Sequence, residues 1–316
     1  MKSLKSVSRF LAFPIFLLAG SCVNDPAKKP QTGIPSLGSF QVSLWDSSEI
    51  SPTAYSTVFG QIYTGPTPPS LVWVEKTKSG ECRLLTPKVP FCDPGCGSEG
   101  ACVEDGVCRK HPVMMGAGRI SVNGLKTKAN ANSFTMDLGP GGYQPPGGTI
   151  VDYPPCDEGA AVTFAASGGD SISAFTVSAK GISPLTVLND SVTLADGRPV
   201  DLEWSPPKQA GNTTVFVTVD ISHHGGIKGK IECEGADDGK MQIAGTLVDG
   251  LKALGVSGFP KIEISRKAEG INADLKVSLI IESLITKFVN IPGLISCNGD
   301  GDCPAGQTCQ QDAQCK

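Results

Sequence analysis

The chain has 316 residues, of which 40% are hydrophobic and only 6% aromatic, with 38 glycines, 24 prolines and a formal net charge of −4. That length holds one large domain or two moderate ones, and so much Gly and Pro argues for short strands joined by turns, against long helices. The acidic balance excludes a general nucleic-acid binder, which needs a basic surface.

Met1–Arg9 carries Lys2, Lys5 and Arg9 and no acid, and the apolar run "FLAFPIFLL" (10–18) leads into the small residues Ala19, Gly20 and Ser21. A basic n-region, an apolar h-region and a small-residue cleavage site make 1–21 a signal peptide. The run is too short for a bilayer, which takes ~20 apolar residues, and Pro14 interrupts it. Losing it leaves 24 bases against 31 acids, a net charge of −7. Leu18-Ala19-Gly20-Ser21-Cys22 resembles the lipobox of bacterial lipoproteins, with one departure: Leu stands four residues before the Cys instead of three, and Ala19 takes its place. The resemblance implies that Cys22 is acylated, with palmitate-type chains, and begins the mature protein. Val23 after it, instead of Asp, implies the outer membrane as the destination. Each buried methylene of such an anchor contributes about 0.8 kcal/mol. Residues 22–38 then read as the lipidated Cys and a Pro-, Gly- and Lys-rich tether.

Residues 39–159 read as a β-rich region with a Cys-rich insertion at 82–108. Apolar residues alternate at Phe40, Val42 and Leu44, then at Val58, Gly60 and Ile62. Leu71–Val74 and Cys82–Leu85 form a hairpin about a turn at Lys78-Ser79-Gly80. Segments 116–125 and 132–138 are further strands, and "GPGGYQPPGG" (139–148) is a loop around Tyr143. Residues 160–290 read as a β-sandwich domain. Strands over 160–167, 171–180, 199–204, 213–222 and 225–235 are separated by Pro, Gly and Asn or Asp turns. "GTLVDGLKALG" (245–255) is a short helix with Leu247, Val248, Leu251 and Leu254 on one face and Gly255 at its end. Strand alternation returns at Ile262 and Ile264 and at Leu275, Val277, Leu279 and Ile281, with a hairpin turn expected near Glu269-Gly270. The order "LEW", "VFVTVDIS", "IKGKIECEGADDGKMQIAG" and a short helix resembles a recurring lipoprotein β-domain of large-genome soil bacteria, over 160–266. That resemblance implies a fold and a location, and no activity. The fold class expected is mainly β and sandwich-like, with one short helix and two disulfide-rich segments.

Twelve cysteines in an exported chain indicate disulfides. Cys82, Cys92, Cys96, Cys102, Cys108, Cys156, Cys297, Cys303, Cys309 and Cys315 are the candidates, and an acylated Cys22 leaves one of the others over. Cys233, in a strand-like context, is the candidate for a buried free thiol, with Cys156 as partner of the odd member of the first cluster. The tail, 291–316, holds four cysteines each separated from the next by five residues, without a His. That spacing lacks the close Cys pairs of a structural zinc site, and "NGDGD" (298–302) lacks the closing Glu of a calcium loop. The x5, x5 spacing of Cys303, Cys309 and Cys315 repeats that of Cys96, Cys102 and Cys108, with Asp312 and Asp105 at one offset. The repeat is similar to small Cys-rich modules of exported bacterial lipoproteins, and the similarity implies alternate pairing, Cys297 with Cys309 and Cys303 with Cys315.

Catalytic signals are weak. His111, His223 and His224 are the only histidines, and no nucleophile elbow, zinc-protease motif or phosphate loop occurs. Glu234, Asp237 and Asp238 in "EGADDG" read as a turn, with a weak cation site as the alternative. Neither a catalytic residue, a cofactor nor a metal is expected. The expectation is a non-enzymatic, membrane-anchored lipoprotein of the cell envelope, structural or binding a protein. A carbohydrate-binding surface built from Trp45, Trp73, Trp204 and Tyr143 is one alternative. A hydrolase with an unrecognised site is the other.

Overall fold

A computed structural model describes residues 37–47, 53–69, 71–170 and 172–316. The signal peptide, Cys22 and the tether up to residue 36 lie outside the described residues. The described residues belong to one compact unit, and the protein is mainly β and sandwich-like.

The first strands are β1 (Gly38–Trp45), β2 (Tyr55–Ile62), β3 (Val72–Ser79), β4 (Cys82–Lys88), β5 (Gly100–Glu104) and β6 (Val107–Lys110). Next come β7 (Ile120–Asn123), β8 (Ser133–Met136), β9 (Leu138–Gly139), β10 (Gly142–Tyr143), β11 (Ala161–Ala166) and β12 (Phe175–Lys180). Then follow β13 (Val192–Thr193), β14 (Val200–Glu203), β15 (Thr214–Asp220), β16 (Lys230–Ala236) and β17 (Lys240–Ile243). The helix α1 (Gly245–Lys252) precedes the long pair β18 (Lys261–Asn272) and β19 (Val277–Asn290).

One large sheet runs β3-β4-β16-β15-β18-β19-β1-β2-β10-β9, with β13 pairing β19 off that path. The β1–β19 pair is parallel, Phe40 opposite Leu279 and Val42 opposite Ile281. Strands from both sides of the 159/160 division therefore share a single sheet. Alternation decides which face each strand buries. Val215, Val217 and Val219 of β15 point inward with Ile262 and Ile264 of β18.

Two cores form on that inner face. In one, Phe40, Ile62, Leu279 and Tyr143 pack with Ile120, Phe164 and Val177 of a four-stranded sheet ordered β12-β11-β7-β8. In the other, Val217, Ile231 and Ile264 pack with Leu202 and Ile243 of the β14–β17 ribbon and with Leu247, Val248 and Leu251 of α1. Gly255 at φ +93° follows the helix, as a glycine suits a helix end.

Four expectations are corrected. The β18–β19 turn spans 273–276, with Lys276 at φ +51°, instead of falling near Glu269-Gly270. Gly270 stays in the strand opposite Leu279. A Cβ there would meet the Ser178 carbonyl oxygen of β12 at 1.8 Å, so this glycine marks a close backbone approach and not a turn. Cys156 is not a disulfide partner; it is the buried free cysteine among the described residues. Cys233 is not free; it is bonded to Cys82. The cause is the β4–β16 register, which sets those two residues opposite each other with Cα atoms 4.0 Å apart. Tyr143 is not in a solvent loop. It is fully buried, and its Oη accepts from Ala117 N at 2.7 Å and donates to the Gly118 carbonyl at 3.1 Å.

"EGADDG" runs from the end of β16 through the short connection to β17, and Asp237 in that connection is buried. Asp237 and Arg266 form an ion pair in which both side chains are 1% exposed. Asp237 Oδ2 accepts from Arg266 Nε at 2.6 Å and Thr213 Oγ1 at 2.7 Å, and Oδ1 from Trp204 Nε1 at 2.7 Å. The guanidinium also donates to the Ser205, Ser183 and Pro184 carbonyls. Every charged atom is matched, the condition under which a buried pair is tolerated.

Candidate functional site: the outer face of the large sheet

Outward positions of the large sheet line up in rows across the strands. The central row runs Glu234, Phe216, Ser265, Leu284, Trp45, Tyr55, each residue opposite the next. On one side lie Arg83, Glu232, Thr218, Glu263 and Thr286. On the other lie Thr214, Lys267, Glu282, Ser43 and Thr57. Over one part of these rows lies a groove with a volume near 880 Å³, lined by β4, β16, β15, β18 and β19 and the β3–β4 turn; Trp45 and Tyr55 lie beyond it, next to Leu284.

Ser265 and Glu282 line it and are buried, as is Ser43 beside Glu282 on β1. Glu282 accepts from Gln41 and, at 3.2 Å, from Ser43 Oγ, and Lys267 Nζ lies 3.6 Å away. Arg83 pairs with Glu232 at 3.1 Å and Lys261 with Glu263 at 2.8 Å. Arg83 on β4 and Glu232 on β16 are opposite charges on neighbouring strands and support each other, whereas Lys261 and Glu263 both lie on β18. Lys267 Nζ also sits 4.5 Å from the Phe216 ring centroid, and Lys230 Nζ 4.2 Å from that of Trp73. The Trp45 and Tyr55 rings are stacked, 6.2 Å apart and 18° from parallel, and Trp45 Nε1 donates to Thr57 Oγ1 at 3.3 Å.

The structure divides the four aromatic candidates. Trp45 lies on the outer face, and Trp73 lines a smaller cleft beside the groove with Asp220 and Lys230. Trp204 and Tyr143 are buried in the cores.

The two Cys-rich segments are one module in two copies. Cys92 bonds Cys102 and Cys96 bonds Cys108; in the tail Cys297 bonds Cys309 and Cys303 bonds Cys315, the alternate order. In both, the middle and last cysteines face each other across a hairpin. Its turn has positive φ at Gly106 in one copy and at Ala313 in the other. Sulfurs of Cys92, Cys96 and Cys108, and of Cys297, Cys303 and Cys315, converge within 4.8 Å, but each is bonded in a disulfide and is no thiolate ligand. In "NGDGD", Asp302 accepts from Asn298 N and Asp300 from Cys309 N, both at 2.7–2.8 Å, so these carboxylates cap backbone.

The tail copy is pinned to the body. Gly258 N donates to the Asp312 carbonyl, and Ser296 Oγ and Gln314 Nε2 donate to the Gly258 carbonyl, all at 2.7 Å. The first copy instead exposes Val89, Phe91 and Val107.

His223 and His224 lie in a turn beside Gly258, His224 at φ +64°, with ring centroids 4.0 Å apart. They share one side because the chain has left the strand, where neighbours alternate. Burial first, then Lys261 and His224, hold His223 below the ordinary imidazole range. Among the described residues no histidine side chain is hydrogen-bonded to a nucleophile. Register is what sequence reasoning missed here: outward residues on seven strands become one surface only after pairing is known. No protein-family model matches this chain, and no curated protein is similar to it in sequence.

Proposed function

We propose that this protein is a non-catalytic binding module of the cell envelope, held at the outer membrane through an acylated Cys22, and that the outer face of its large sheet is the binding surface. The groove on that face carries the reading. A large sheet covered on one face by two cores and carrying a wide polar groove on the other is suited to recognition by side chains. Its cations Arg83 and Lys267 are paired with carboxylates across strands, Arg83 with Glu232 and Lys267 with Glu282, a pattern that orders a surface and does not poise an acid or base. Disulfides at both Cys-rich modules suit an oxidising compartment.

Capture from detergent-solubilised envelopes tests the surface. Wild type is expected to retain a partner that Thr214→Arg/Thr218→Arg, which fills the groove from both flanking rows, does not. Equal capture by both refutes it. Mass spectrometry of the mature N-terminus tests the anchor: an acylated Cys22 is expected, and an unmodified Cys22 or cleavage elsewhere removes the membrane from the reading.

A further inference from the structure

We propose that the ligand of this face is a neutral glycan chain that lies across the strands, with sugar rings stacked on Trp45 and Tyr55. This rests on the reading of the outer face as the binding surface and names the chemistry it takes.

Four observations carry it. First, the strands under the groove are paired on both edges. Their backbone donors and acceptors are used in the ladder, so a peptide cannot add as a further strand there, and only side chains remain to read a ligand. Second, the central row from Phe216 to Tyr55 crosses four strand spacings, about 19 Å, and is apolar and aromatic except at the buried Ser265, between rows of threonines, glutamates and Lys267. A hydroxyl-rich chain with apolar ring faces matches that pattern of a stacking line flanked by acceptors. Third, the free aromatic faces sit at one end. Lys267 covers Phe216, whereas Tyr55 is 45% exposed and stacks on a Trp45 ring whose indole nitrogen is tied to Thr57. An aromatic pair held in place loses little freedom on binding. Fourth, five glutamates line the groove against three cations, Lys78, Arg83 and Lys267. That excess repels a polyanion and leaves an uncharged chain favoured.

The test is affinity electrophoresis of the full mature chain in native gels with mild detergent, cast with hydroxyethylcellulose, laminarin, xylan, galactomannan or soluble starch. Polygalacturonate serves as the polyanion. Retardation by at least one neutral polysaccharide is expected. Trp45→Ala and Tyr55→Ala should each weaken it about tenfold, the size of one lost stacking contact. Trp73→Ala, outside the row, should leave it unchanged. Thermal melting of each variant checks that it is folded, and Tyr55→Ala alters the more exposed ring. No retardation by any neutral polysaccharide, retardation by polygalacturonate alone, or retardation that both ring variants retain would overturn the inference. If envelope capture is abolished by Thr214→Arg/Thr218→Arg while no polysaccharide retards the protein, the glycan falls and the binding face stands. If both experiments are negative, both fall.

Discussion

Replacing Cys82 and Cys233 together by alanine removes the bridge between β4 and β16. The closed loop spans a sequence separation of 151 residues. The chain-entropy relation for so long a loop gives about 5 kcal/mol at 25 °C. The bridges of the Cys-rich modules close separations of only 10 to 12 residues, worth about 3 kcal/mol each by the same relation. Location widens the gap. Cys82 and Cys233 belong to the second core, so their loss acts on the whole sheet, whereas Cys92 and Cys102 lie outside both cores. For a unit this large, about 5 kcal/mol corresponds to a fall in Tm of roughly 10–20 °C. Thermal and urea unfolding followed by circular dichroism should show that loss for Cys82→Ala/Cys233→Ala, and a smaller one, about 3 kcal/mol or less, for Cys92→Ala/Cys102→Ala. The reasoning is refuted if the two variants unfold alike, or if the first stays within about 1 kcal/mol of wild type.

Further outcomes follow from other buried groups. Asp237→Asn leaves the Arg266 guanidinium uncompensated inside the protein and should cost about 3–5 kcal/mol, read by urea unfolding; Arg266→Met/Asp237→Leu should recover most of that loss. Gly270→Ala places a methyl against the Ser178 carbonyl and should cost about 1–3 kcal/mol through overpacking, with β12 loosened in hydrogen exchange. Burial, with a smaller push from Asp157, raises the Cys156 thiol. It should therefore resist iodoacetamide at pH 8 in the folded protein and react on unfolding without reductant, as counted by mass spectrometry. His223 titrates below its ordinary 6.5 in the folded state. The unfolded chain then binds more protons as pH falls below that value, so the stability present above it is lost on the acid side. His223→Gln should lose less stability than wild type between pH about 7 and 5.

Much of the fold is legible in local pattern. Period-two alternation at Phe40, Val42 and Leu44, and at Val215, Val217 and Val219, marks the strands and the residues they bury. The spacing of Leu247, Val248 and Leu251 marks the helix. What local pattern does not carry is pairing. Nothing near Cys82 or Cys233 indicates that β4 lies beside β16, and nothing near Phe40 indicates a parallel partner in β19. One missed signal was present: Arg266 falls on the inward side of the strand that buries Ile262 and Ile264, and a charge at an inward position calls for a buried counter-ion. Tyr143 misled for the opposite reason. Its Gly and Pro neighbours read as loop, yet Gly142 at φ +126° lets the backbone turn the ring into the core. The candidate site shares the limit on pairing, since its rows join residues from strands far apart in the chain.

The central claim is that the outer face of the large sheet is where this protein meets its ligand. A photo-crosslinking phenylalanine analogue in place of Phe216, in the central row where it lines the groove, activated in intact cells, tests it most directly. The account predicts an adduct from that position and none from the same analogue in place of Leu188, an exposed residue outside the groove. Equal labelling at both positions, or none at position 216, contradicts it.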